Sequence, residues 1–168
     1  MRALLLLALA VLLGGCASFD GRGLVAGQST LADVEAVMGP AADKRPAAGG
    51  ETVYYFPRLP WGYATYAARI APDGKLLALE QRLTRENIEK LKVGVTRGDE
   101  VLDLLGPPYE PMKQARTGSV IWTYPMRVQD SPTPKWFLAT VGPDGVLREA
   151  YMIDDPNYVR GIGRGVPP

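Results

Sequence analysis

The stretch LVAGQSTLADVEAVMGP at Leu24–Pro40 returns 67 residues later as LKVGVTRGDEVLDLLGP at Leu91–Pro107. A phrase stated twice at this spacing restricts the chain to a duplicated architecture, because each copy must be one supersecondary unit. In the first copy Ser29 or Thr30 is placed to cap a helix with Asp33 in support. In the second, Thr96 is placed to cap and Asp99 sits three residues on. Val34, Val37 and Met38 then fall at i, i+3 and i+4, as do Val101, Leu104 and Leu105, so each phrase predicts a short helix with one apolar stripe. Gly39 and Gly106 are expected to stop these helices in the left-handed region, and Pro40 and Pro107 prevent resumption. Gly27 and Gly94 fit a tight turn from a preceding helix. That helix is clear in the second copy as TRENIEKL, Thr84–Leu91, and glycine-interrupted in the first, Ser18–Val25.

The partners of these helices also repeat. TVYYFP at Thr52–Pro57 parallels VIWTYP at Val120–Pro125, and ARIAPDGKLLALEQ at Ala68–Gln81 parallels ATVGPDGVLREAYM at Ala139–Met152. In each, a β-rich run enters Pro-Asp-Gly and leaves as another. Proline presets the first turn dihedral, aspartate accepts from the backbone and glycine supplies the positive φ. The expected fold class is therefore α+β, with two tandem αα-βββ units whose short helices pack on an antiparallel three-stranded meander. The expected boundaries are 16–83 for the first unit and 84–155 for the second, with a flexible tail over 156–168.

The chain has no histidine and one cysteine, which removes Cys/His metal sites, Ser-His-Asp and Cys-His catalysis, and an intramolecular disulfide. A net charge of +1 gives no electrostatic case for nucleic acid. Arg2 precedes an apolar run from Ala3 to Leu13, whose eleven residues are too short to span a ~30 Å hydrocarbon core. A signal peptide over 1–15 is the expected reading. The exit LGGC, Leu13–Cys16, resembles the bacterial lipobox, which implies cleavage before Cys16 and acylation there. Several acyl chains, at about 0.8 kcal/mol per buried CH₂, anchor firmly where one does not. Ala17 in place of aspartate after the cysteine resembles the outer-membrane default, so the expected location is the periplasmic face of that membrane.

The pattern G-x-[ST]-x-x-[DE]-V-x-x-x-[LM]-G-x-P, following a lipobox and preceding a β-meander, resembles the SmpA/OmlA (BamE) family of small outer-membrane lipoproteins that accompany the β-barrel assembly machinery. It is carried by Gly27, Ser29, Val34, Met38 and Gly39, and again by Gly94, Thr96, Val101, Leu105 and Gly106. The tandem arrangement also resembles the β-lactamase-inhibitor-protein-like superfamily, whose namesake grips a protein with a concave sheet. The resemblance implies the fold and the address and points to an envelope protein as partner, the barrel-assembly machinery among them. The alternative it implies is an inhibitor of a hydrolase.

Outside the scaffold, aromatic residues cluster in the unequal inter-strand loops: Trp61, Tyr63 and Tyr66 in RLPWGYATY, and Trp136 and Phe137 at the end of MRVQDSPTPKWF. Loop-borne aromatics anchor protein interfaces, so these five are the candidate partner-binding residues, while Tyr54, Phe56, Trp122 and Tyr124 belong to the strands and the core. No small-molecule substrate, cofactor or metal is expected, and the chain is expected to be non-enzymatic. Asp154-Asp155 before Pro156 reads as a turn, and RGIGRGVPP as a mildly basic tail that follows no strand and forms no phosphate loop.

Overall fold

Both Pro-Asp-Gly segments form the same turn. Gly74 and Gly145 sit at φ 83° and 78°, their N–H groups donate to the carbonyls of Ala71 and Gly142 at 2.9 Å, and Asp73 and Asp144 accept from the second N–H onward. This is a tight turn closed by a glycine at positive φ, which joins antiparallel strands without splaying them. The computed structural model describes residues 20–59 and 62–158. Cys16 with its signal peptide, Trp61, and the tail from residue 159 lie outside the described residues.

The repeated phrase docks on these turns. The N–H of Gly27 donates to Leu76 O and that of Leu76 to Ser29 O, both at 2.8 Å; Gly94, Leu147 and Thr96 repeat the exchange at 2.8 and 2.9 Å. Ser29 Oγ accepts from the Val25 N–H at 2.9 Å and Thr96 Oγ1 from that of Lys92 at 2.8 Å. The glycine and hydroxyl of the phrase thus build a strap clamped to the returning strand. This corrects the expectation for Thr96, which closes the strap and leaves the helix cap to the next residue.

The first helix, α1 (Leu31–Met38), is capped by Thr30: Asp33 Oδ2 accepts from the Thr30 N–H at 2.7 Å, and Thr30 Oγ1 accepts from that of Asp33 at 3.4 Å. Helix α2 (Arg85–Glu89) is capped by Thr84, and α3 (Gly98–Leu105) begins after Arg97. Arginine has no acceptor, so only half of the box survives: Glu100, in the place expected for Asp99, accepts from the Arg97 N–H at 2.6 Å. Among the described residues no helix precedes α1 in the first unit; Gly21 and Gly23 there take φ 81° and 86°.

Gly39 and Gly106 end α1 and α3 at φ 81°, but with ψ 179° and −170°. They keep the positive φ expected of a glycine stop, but their ψ is extended, a correction to the left-handed helical conformation expected. The following proline is the reason, since its Cδ excludes a compact ψ from the residue before it.

Each unit closes on a four-stranded antiparallel sheet, one strand more than the sequence marks. The first is β1 (Asp43–Pro46), β2 (Thr52–Pro57), β3 (Thr65–Ile70) and β4 (Leu76–Gln81); the second is β5 (Met112–Lys113), β6 (Val120–Met126), β7 (Lys135–Val141) and β8 (Leu147–Asp154), each paired in chain order. The extra strands β1 and β5 are edges of sequence DKRP and MK. Short charged edges carry no apolar alternation and resist pairing with other chains, which is why they leave no pattern in the sequence.

Two cores result. Val34 and Met38 of α1 pack on Phe56, Ala68, Ile70 and Leu76; Val101 and Leu105 of α3 pack on Tyr124, Met126, Phe137, Ala139 and Leu147, joined by Leu83 from the linker. Tyr54 and Trp122 are half-buried against these clusters, while Phe56 and Tyr124 are sealed within them. The fold is a four-layer stack: α1, first sheet, α3, second sheet. The other face of the first sheet meets α3, where a Cβ on Gly106 would lie 2.8 Å from Tyr55 and 2.9 Å from Thr65.

Candidate functional site

The helix between the sheets is held at its C-terminal end by groups from both sides. The last carbonyls of a helix lack intrahelical partners and carry partial negative charge. Asp103 O accepts from Tyr55 Oη at 2.9 Å and from Arg82 Nη2 at 3.1 Å, both from the first unit. Gly106 O accepts from Tyr124 Oη at 3.2 Å, from the second sheet. Arg45 of β1 pairs with the Asp103 carboxylate. Burial pushes the Tyr55 and Tyr124 phenols above their ordinary value of 10.0. This seam positions the rest of the molecule as one body.

At one end of that body the two unequal inter-strand loops meet. Tyr63, between β2 and β3, donates its hydroxyl to Asp155 Oδ2 at 3.1 Å, and the Arg127 guanidinium, between β6 and β7, lies 5.4 Å from the centre of its ring. Partial burial and the bond to Asp155 raise the Tyr63 phenol. Asp155 is 3% exposed, and its other oxygen accepts from the N–H groups of Asn157 and Tyr158 at 2.8 and 3.3 Å. It is the cap of a helical turn opened by Pro156, a favoured residue for that first position. The neighbouring polar loop is pinned too: Thr133 Oγ1 and Lys135 Nζ donate to Asp154 Oδ1 at 3.0 and 2.5 Å, which holds that carboxyl below its ordinary value of 3.8. Arg127 stays exposed, as does Tyr158.

The expected partner-binding residues fare unequally. Tyr63 lies in the loop cluster, half-buried and tied to the second unit. Tyr66 stands in β3, half-buried against the first core, with Arg58 6.0 Å from its ring centre. Trp136 stands in β7, half-buried, opposite Pro125 and Ile153. Phe137 is corrected outright. At 1% exposure, with its ring 6.2 Å from that of Tyr124, it is core and presents nothing to a partner. Strand alternation is the reason, since neighbours in β7 face opposite sides of the sheet. Arg127 was missed because a single arginine in a polar loop has no pattern, whereas the Asp-Pro pair at 155–156 carries a readable cap signal.

A recess of about 290 Å³ lies on the first sheet, lined in part by Val53, Ala67, Glu51, Arg69, Glu80 and Arg82. Its two arginines pair with its two glutamates, Arg69 with Glu51 at 3.3 Å and Arg82 with Glu80 at 2.9 Å. Among the described residues no three His, Cys, Asp or Glu side chains group as metal ligands, and no helix is long and apolar enough to cross a membrane.

No protein-family model matches the chain, and no curated protein matches it. Among solved structures it is similar to a DUF4309 family protein, YjgB, from Bacillus subtilis, at 18% identity and a TM-score of 0.31, over 80% of this chain and 84% of that one.

Proposed function

We propose that the protein is a lipid-anchored, non-catalytic protein-binding module of the bacterial envelope, held by acylated Cys16 at the periplasmic face of the outer membrane. The observation that carries this reading is the junction of Tyr63 with Arg127 and Asp155, where the loops that differ between the units form one composite surface. A duplicated scaffold whose divergent loops converge offers broad, shape-specific contact, as protein interfaces require. The lipid would confine that surface to the membrane and raise its effective concentration near embedded partners. The resemblance of the repeated phrase to the SmpA/OmlA family supports a role in outer-membrane protein assembly or envelope integrity.

Crosslinked pull-down from solubilised outer membrane tests the reading, using the full chain and an Arg127→Ala variant. Recovery of barrel-assembly subunits, reduced by Arg127→Ala, is the expected result. Recovery of a soluble hydrolase alone would replace this reading with inhibition. Cys16→Ser is expected to abolish fractionation with the outer membrane; full retention there would overturn the anchor.

A further inference from the structure

The two returning strands occupy equivalent edges of their sheets but differ in one stretch. Where β4 runs into Glu80-Gln81-Arg82, β8 reads Tyr151-Met152-Ile153. The first stretch is polar and occupied: Glu80 pairs with Arg82, Gln81 bonds the backbone of Leu83, and Arg82 reaches Asp103 O. The second is apolar and open to solvent, with Tyr151, Met152 and Ile153 exposed by 47%, 37% and 40%. An edge strand is normally protected by charge, shortness or proline, because its unpaired backbone groups are a template for another strand. Over these three residues β8 has none of these protections.

The free part of this edge has defined limits. At one end the strap takes Leu147, whose N–H and C=O bond Thr96 and Gly94. At the other, Asp155 donates its N–H inward to Pro134 O at 3.0 Å and its side chain caps the turn at Pro156. Between them lie residues 148–154, with Tyr151 at the midpoint. Because antiparallel bonding alternates, the inward N–H of Asp155 means that Tyr151 and Ile153 turn their backbone groups to β7, and that Ala150, Met152 and Asp154 turn theirs outward.

We propose that this edge pairs with β8 of a second copy of the chain, antiparallel, about a two-fold axis at Tyr151. That register uses the whole free segment. It sets Ala150 opposite Met152, Glu149 opposite Ile153, and Tyr151 opposite its own copy. It also places Arg148, which sits at the bulge of β8 and pairs with Asp144 in the single chain, across from Asp154, which pairs with Lys135 there, so that these half-exposed charges would be shared between copies at both ends. Moving the axis to Met152 would set Ala150 against Asp154 and Glu149 against Asp155, losing both charge pairs and opposing two carboxylates. The interface is isologous, so it closes at two chains, joins the two second sheets into one of eight strands, and leaves Tyr63 and Arg127 to other contacts.

Disulfide trapping in the full chain tests the register, in a Cys16→Ser background that removes the only native thiol. Tyr151→Cys should oxidise to a covalent dimer, since directly opposed residues whose backbones point away from the interface bring their Cβ atoms within disulfide range. Glu149→Cys and Ile153→Cys should crosslink when mixed and form no covalent dimer alone, and Leu77→Cys on β4 should not crosslink. Sedimentation of the chain with its native β8 should show a dimer that Met152→Lys converts to monomer with an unchanged circular dichroism spectrum. A monomer throughout the micromolar range, or trapping that ignores the cysteine position, would overturn the proposal.

Discussion

A Cβ on Gly106 would stand 2.8 Å from Cδ1 of Tyr55, whereas one on the equivalent Gly39 would meet nothing within 4 Å. The two glycines share φ 81° and an extended ψ, a region glycine alone occupies comfortably. They differ in what lies beyond: Gly106 is pressed between two sheets and Gly39 faces open space. Gly39→Ala should therefore cost about 1–3 kcal/mol from backbone strain. Gly106→Ala should cost that and about 1–3 kcal/mol more for displacing Tyr55 and Thr65. Urea midpoints of the two variants measure the difference, and equal losses would show that the seam is not packed as described.

Tyr55→Phe keeps the ring against Gly106 and removes the hydroxyl that bonds Asp103 O. For a residue 1% exposed, the expected loss is about 0.5–1.5 kcal/mol. Asp103→Ala removes the Arg45 ion pair and leaves that carbonyl in place. With side chains 23% and 58% exposed, the pair should contribute at most about 1 kcal/mol, less as salt rises.

Alkali should weaken the seam. The buried Tyr55 and Tyr124 phenols hold their protons above the ordinary value of 10.0. Above that pH the unfolded chain sheds these protons while the native state keeps them, so stability falls as pH rises. Urea midpoints should drop above pH 10, and less steeply in Tyr55→Phe. An unchanged slope in that variant would remove Tyr55 from the account.

The half-formed cap of α3 is a place to gain stability. Arg97→Thr restores the hydroxyl that Thr30 supplies to α1, and should add about 0.5–1 kcal/mol. In the intact box of α1, the Thr30 N–H and hydroxyl hold the Asp33 carboxyl below its ordinary 3.8. That contribution is present above 3.8 and lost as pH falls through the lowered value, so Asp33→Asn should flatten acid unfolding in that window. Thermal midpoints across acidic pH read both effects.

Phe137→Ala should cost about 3–5 kcal/mol, as emptying a sealed aromatic site does. Trp136→Ala, at the half-buried neighbouring position, should cost less and leave cooperative unfolding intact. Comparable losses would place Trp136 in the core as well.

Pattern in the sequence reached as far as local chemistry could carry it. The phrase at Leu24–Pro40 and its repeat specify two helices, and the two Pro-Asp-Gly turns downstream complete a paired α+β plan, because caps, stripes and turn residues act over a few positions. The same local rules misplaced the cap at Thr96, since a hydroxyl serves a strap and a helix equally well until the strap's partner, Leu147, is in place. They missed β1 and β5, whose charged residues have no buried face to alternate against. They also could not separate Trp136 from Phe137, because facing is decided by register. What only the tertiary structure decided is the relation between the units: α3 serves two sheets, Tyr55 and Tyr124 close its end from opposite sides, and Tyr63 meets Arg127 across the loops. Each of these joins residues tens of positions apart, and such contacts are selected by the packing of whole faces, which no short window of sequence contains.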